Sequence, residues 1–286
     1  MHGSKNIFLS ITATPIVGDG SYAEILPCDE LLPYIRCFWR QDVMAEGEPL
    51  LHEQRASLII PDACMDIVLG FDDDSNLVSS VFCTLDEDAH VSNPDTAAGA
   101  RSLFGIRFYG WTAGLFAKEN INGIRNRTLE ASEFFPYILK DFVPKLAGVA
   151  SFSRKAEIAN RYFLKRLDEA IVNYDLMNAA AKILEMKGNV RTSEIARSVA
   201  MSEKQMERKY REKIGVSPKS LSSLIRYQLL WQDLFRSPEC DIQDLVDKYG
   251  YFDQAHLLND FKRRHKMTVN QAVRFAASKN NVGFFQ

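Results

Sequence analysis

The sequence predicts an α+β chain: a small antiparallel β-barrel domain over residues 1–130, a helical linker over 131–173, and an all-α domain over 174–286 with two helix-turn-helix units. Three observations predict it. Short runs of β-branched and aromatic residues, bounded by turn signals, fill the chain up to about Arg127. After Ser132 the apolar spacing lengthens to a helical period. Near the C-terminus one helix-turn-helix grammar occurs twice.

In the first region, Ser57–Pro61, Asp66–Phe71, Ser79–Thr84 and Ser102–Tyr109 read as strands. The DDDSN run at 72–76, NPD at 93–95 and Gly110 read as turns between and after them. Leu31–Trp39 is expected to become a strand after Pro33. Short strands at this spacing fit a small sheet or barrel. In the linker, Phe134, Ile138, Phe142 and Leu146 recur every fourth residue, interrupted by Pro136 and Pro144, and a helix is expected at 153–171. That helix could join two chains as a dimer face or pack on its own domain.

Bulk properties set bounds. With 286 residues, 46% hydrophobic and 25% charged, the chain has room for two ordinary globular domains. No apolar run reaches 18 residues and no secretory signal is evident, so no membrane partner and a cytoplasmic location are expected. The cysteines, Cys28, Cys37, Cys64, Cys83 and Cys240, are scattered and odd in number, as in a protein with reduced thiols. The net charge of −2 divides unevenly. Residues 175–286 carry 19 Lys and Arg against 13 Asp and Glu, a net of +6, while residues 1–174 carry 16 against 24, a net of −8. A basic end on an acidic body fits a nucleic-acid-binding module.

The two repeated segments are Thr192–Gly215 and Asp241–Lys266. Aligning Ile195-Ala196 with Leu245-Val246 sets Ala200 against Gly250 at the turn, where a small or left-handed-tolerant residue is required. Ser202 followed by Gln205 forms a capping box, and Asp253 can cap the second reading helix. Met206 with Tyr210, and Leu257 with Phe261, would pin the reading helices to the core. Polar residues remain outside: Lys204, Glu207, Arg208 and Arg211 in one, and Gln254, His256, Asn259 and Lys262–Arg264 in the other. Donor-bearing side chains on one face suit a major groove. The connecting helix, Ser217–Phe235, can hold two readers roughly 34 Å apart, about one turn of DNA.

These stretches, EIARSVAMS, ERKYREKIGVSP, LIRYQLLWQDLF and DIQDLVDKYGYFDQAHLLNDFKRRHKMT, resemble the C-terminal domain of AraC/XylS-type transcriptional regulators. The resemblance implies a bacterial, sequence-specific DNA-binding regulator that acts on double-stranded operator DNA and RNA polymerase. It implies base-facing roles for Lys204, Glu207 and Arg208, and for Gln254, Ala255, His256 and Asn259, with Arg226 a structural or phosphate-side contact. Two departures stand out. Asn259 occupies a place where the family often has arginine, and Lys266-Met267-Thr268-Val269 replaces a Gly-x-Thr-Pro ending that the first unit keeps as Gly215-Val216-Ser217-Pro218. The first unit is therefore expected to read bases. The second leans on the backbone through Lys262, Arg263 and Arg264, unless these are simply a solvated helix end.

Upstream, LLPYIRCFWRQDV, LIIPDACMDIVLGF and LFGIRFYGWTAGLF resemble small β-barrel sensor domains of the same family. The resemblance implies a mouth lined by Trp39, Phe104, Phe108 and Trp111, with Arg107 or Asp62 as a polar anchor for a small effector; core packing is the competing role for the aromatics. A homodimer also fits the family. His52, Glu53, Asp62, Cys64, Asp66, Asp86–Asp88 and His90 lack metal-ligand spacing, and no P-loop, GxGxxG or GxSxG occurs, so no metal, cofactor or catalysis is expected. The alternative is an alkylation-repair protein that uses the same DNA-binding module. It would need a reactive cysteine in a basic cluster, whereas the cysteines of the first half stand among acidic residues.

Overall fold

The computed structural model describes Phe8 and residues 13–14, 22–43, 58–91 and 99–279. His52, Glu53 and the NPD turn lie outside these residues. The first half is built on a six-stranded antiparallel sheet, ordered β2 (Tyr22–Ile25), β3 (Ile35–Asp42), β8 (Ser102–Tyr109), β5 (Cys64–Phe71), β6 (Leu77–Cys83) and β9 (Thr128–Glu130). A smaller sheet pairs β4 (Leu58–Ile59) with β1 (Ala13–Thr14) on one side and β7 (His90–Val91) on the other.

The period-two alternation of strands gives the large sheet two unlike faces. On one, Phe38, Ile67, Leu69, Phe82, Phe104, Ile106 and Phe108 are fully or almost fully buried. Helices cover that face: α1 (Ala113–Phe116), α2 (Ala131–Phe134) and α3 (Phe152–Asp168). Phe163 of α3 meets Phe108 edge-on at 5.5 Å and Phe116 at 5.3 Å, while Phe135 stacks on Phe108 at 6.3 Å. Thus α3 packs into the core of its own half. Between α2 and α3, Pro136 and Pro144 break the four-residue period into a π-helical turn, Ile138–Phe142, and a 3-10 turn, Val143–Lys145, yet Phe134, Ile138, Phe142 and Leu146 are all buried. The opposite face carries Tyr22, Trp39, Asp66 and Arg107, with Cys37 paired across from Arg107. Gly105 is needed there, because a Cβ would fall inside the Trp39 ring.

The second half is helical: α4 (Tyr174–Glu185), α5 (Thr192–Ser198), α6 (Glu203–Lys213), α7 (Pro218–Arg236), α8 (Ile242–Tyr249), α9 (Gln254–His265) and α10 (Val269–Lys279). Its core gathers Tyr210, Tyr227, Trp231 and Phe261, each fully buried. At 19 residues, α7 runs about 28 Å between the two repeated units. No described helix is long and apolar enough to cross a membrane.

Candidate DNA-reading surface

Each repeated unit folds as its sequence requires. In the first, α5 ends before Ala200, which takes a left-handed backbone (φ 53°). Ser202 then caps α6: its Oγ accepts from the Gln205 N–H at 3.3 Å, and the Ser202 N–H donates back to Gln205 Oε1 at 3.0 Å. In the second, Gly250 is left-handed (φ 62°), and Asp253 Oδ1 accepts from the His256 N–H at 2.7 Å to start α9. Met206 and Tyr210 pin one reading helix, Leu257 and Phe261 the other, all four fully buried. Arg226 lies over the Tyr251 ring at 4.3 Å, which fits the structural of its two expected roles.

On the outward face of α6, Lys204, Arg208 and Arg211 are exposed and Glu207 is half-buried. Glu212 lies 4.0 Å from Arg208, and Glu207 3.7 Å from Arg211. Such solvent-exposed i, i+4 pairs are worth only about 0.3–0.5 kcal/mol and yield readily to a phosphate. Lys204, Gln205, Arg208 and Arg211 line a cleft of about 810 Å³ together with Ser202 and Glu212. Asn122 and Gly123, from the first half of the chain, complete it.

On α9, Gln254, Ala255, His256, Asn259, Lys262 and Arg263 are exposed. Gln254 donates to Gln243 of α8 at 3.2 Å. Arg264 departs from expectation. It is only 3% exposed, bonded to Ser223 Oγ (2.8 Å) and the Glu87 carbonyl (3.2 Å) and paired with Asp260 (3.4 Å), so it is no phosphate contact. Its place three residues after Phe261 and seven after Leu257 sets it on the buried side of the helix. Arg263 is exposed but engaged, 2.7 Å from Asp260 and 4.0 Å from Asp88.

The five residues expected at an effector site divide between the faces of the sheet. Phe104 and Phe108 lie in the helix-covered core. Trp39 and Arg107 share the other face, where both donate to Asp66 Oδ1, at 2.7 and 2.9 Å. Trp111 stacks on Tyr109 at 5.1 Å, at the end of β8. Alternation along β8 already sets Arg107 opposite its two phenylalanine neighbours, so this division was readable from the strand. Tyr22, missed by the sequence reading, stacks on Trp39 at 6.1 Å. Burial works against the Arg107 charge, but Asp66, Tyr22, Asp62 and Cys37 together outweigh it and hold the guanidinium above its usual range. Burial, then Asp62 and Asp66, push the Asp86 carboxyl up to about 7. Among the described residues no three of His, Cys, Asp or Glu gather as a metal site.

Two families match the chain: a helix-turn-helix domain over residues 195–274 and a domain of unknown function, DUF6597, over residues 23–130. No curated protein matches. Among solved structures, ToxT from Vibrio cholerae O395 is 11% identical with a TM-score of 0.41, covering 92% of this chain and 99% of that one. A second ToxT structure, at 1.65 Å resolution, is 12% identical with a TM-score of 0.39, covering 89% and 98%. Wild-type ToxT from strain SCE256 with an unsaturated fatty acid bound is 11% identical with a TM-score of 0.39, covering 76% and 88%. The capped, left-handed turns of both units and the family match over 195–274 agree: the chain carries an AraC-type helix-turn-helix domain and is a DNA-binding transcription regulator.

Proposed function

We propose that the protein reads operator DNA with both helix-turn-helix units and answers to a small effector held on the polar face of the large sheet. Residues 1–130 form the sensing domain, 131–173 a helical connection and 174–286 the reading domain. Lys204, Glu207, Arg208 and Arg211 contact DNA from α6, and Gln254, Ala255, His256, Asn259, Lys262 and Arg263 from α9. The regulator works on promoters with RNA polymerase in the cytoplasm, and two copies pair on the operator. It catalyses no reaction. Burial holds the thiols of Cys37 and Cys83 well above their usual range, which suits a non-nucleophilic role.

One observation carries the effector reading: the Arg107–Asp66 pair, with Trp39 on the same carboxylate and Tyr22 beside it, on the sheet face opposite the helix-covered one. A buried ion pair generally stabilises a fold less than apolar side chains of similar volume would, so its presence here is better accounted for by ligand anchoring. Tyr22 and Trp39 offer an apolar platform, and the Arg107–Asp66 pair offers polar orientation.

The test is a thermal-shift screen of the full chain against small metabolites, repeated with Trp39→Ala. A compound that raises Tm for the wild type but not for the variant supports the site; equal shifts for both would place the effector elsewhere. DNA reading is tested by selecting bound genomic fragments, then measuring Arg208→Ala on the selected site. We expect a loss of about 1–3 kcal/mol in discrimination at one base pair. Unchanged affinity for the selected site would sink the role given to α6.

A further inference from the structure

The first half of the chain holds both reading helices by their C-terminal ends. The last carbonyls of any helix lack partners within it. At the end of α6, the Glu212 carbonyl accepts from the Ile121 N–H (2.8 Å) and the Asn122 N–H (3.2 Å), and the Arg211 carbonyl accepts from the Gly123 N–H (2.9 Å). At the end of α9, the Arg264 carbonyl accepts from the Ala89 N–H at 2.7 Å. Asp88 adds ion pairs to Lys266 at 3.5 Å and Arg263 at 4.0 Å. The approach at α6 is close: a Cβ on Gly114 would lie 2.7 Å from the Lys213 carbonyl oxygen, and one on Gly215 would collide with the Ile124 carbonyl.

The two loops that make these contacts are joined to each other. Asn126 is the joint: its N–H donates to the Leu85 carbonyl at 2.8 Å, and its Oδ1 accepts from the Glu87 N–H at 2.7 Å. Arg125 pairs with Glu87 at 2.6 Å beside it. A third tie reaches the connecting helix, where Gln228 Nε2 donates to the Pro61 carbonyl at 2.5 Å. The two readers are thus linked by two routes: through α7, and through a hydrogen-bonded brace on the β half.

We infer that this brace is a positioning device that sets the distance and rotation between the two reading helices, and so the operator spacing the protein accepts. Asn126 is its central positioning residue. The inference rests on the proposal that both α6 and α9 enter DNA. One base pair moves a site by about 3.4 Å along the duplex and rotates it, so two rigidly held readers discriminate against a shifted element. Two readers joined by α7 alone tolerate it better.

The experiment uses the full chain and a selected operator, together with versions in which the segment between its two read elements is one base pair shorter or longer. Wild type is compared with Asn126→Ala and with Asp88→Ala, which break the brace at different points, and the melting of each variant is checked. Wild type is expected to prefer the native spacing by about fivefold or more, within the usual range of coupling between sites. In both variants that preference falls toward unity, because native-spacing affinity drops while shifted-spacing affinity is kept. A preference unchanged in both variants overturns the inference. So does a uniform rise in affinity at constant preference, because the contact would then mask the readers rather than space them. The premise fails separately: if Gln254→Ala together with Asn259→Ala leaves wild-type affinity intact at every spacing, α9 does not read DNA.

Discussion

The first helix-turn-helix unit leaves the cations of its outward face in solvent, whereas the second ties most of its own into the protein. Arg208 and Arg211 are 69% and 61% exposed, with only weak pairs to their own helix. In α9, Arg264 is buried against Asp260 and Arg263 shares that carboxylate, and just past the helix end Lys266 reaches Asp88. The two units share one grammar and use charge differently. The first has charge to give to DNA; the second spends most of it on holding itself and the β half together. Positive charge counted along a sequence is therefore not positive charge available to a phosphate.

The largest expected effect would break this comparison at Arg264. Replacing it with Ala leaves Asp260 buried, with exposed Arg263 and the Tyr251 hydroxyl as its remaining partners. Removing one member of a buried pair costs about 3–5 kcal/mol. Arg263→Ala, at a side chain 54% exposed, should cost less than about 1 kcal/mol. Denaturant unfolding of the two variants decides. Equal midpoints would mean that Arg264 is as dispensable as a surface arginine.

The next effect concerns pH. His265 is fully buried, its Nδ1 2.8 Å from the Tyr227 hydroxyl and its ring stacked on Phe261 at 4.9 Å. Burial lowers its pKa from 6.5 to about 4. Between those values the unfolded chain binds a proton that the folded chain refuses, so stability falls as pH drops from 6.5 to 4 and the loss is complete below that. From pH 7 to 5 this should remove about 2 kcal/mol. Asp86 works with the opposite sign: raised to about 7, it favours the folded state at low pH and loses that contribution as pH rises. The measurement is therefore a difference, the pH slope of wild type minus that of His265→Phe. A slope unchanged by the substitution would refute the assignment.

Much of the reading surface was legible because it is local. The capping box at Ser202 and Gln205, the turn residues Ala200 and Gly250, and the pins Met206, Tyr210, Leu257 and Phe261 act within a few residues of one another, so spacing encodes them. The four-residue period at Phe134–Leu146 likewise marked buried positions, although Pro136 and Pro144 bent the helix it implied. One misplaced residue and one choice left open had local remedies. Arg264 lies on the pinned side of α9, and Arg107 alternates with Phe104 and Phe108, so helix and strand periods could have separated them. The presence of Asn122 and Gly123 in the reading cleft had no such signal. It depends on backbone hydrogen bonds across some ninety residues, and backbone groups carry no sequence identity.

The smallest effect sharpens the comparison at the ends of the two reading helices. After α6 the chain turns through Gly215 at φ 84°; after α9 it turns through Lys266 at φ 60°. A left-handed backbone costs a non-glycine residue roughly 1–2 kcal/mol. Lys266 has a local return, its ion pair with Asp88 at 3.5 Å, but at a half-exposed lysine such a pair is worth at most about 1 kcal/mol. Glycine also has more freedom to lose on folding. Lys266→Gly alone should therefore raise stability by less than about 1 kcal/mol. In an Asp88→Ala background the pair is already gone, so the same substitution should gain more, and the difference between the two gains measures the pair itself. If the gain is no larger without Asp88, the ion pair contributes nothing at this turn, and the lysine there is unexplained by its contact with the β half.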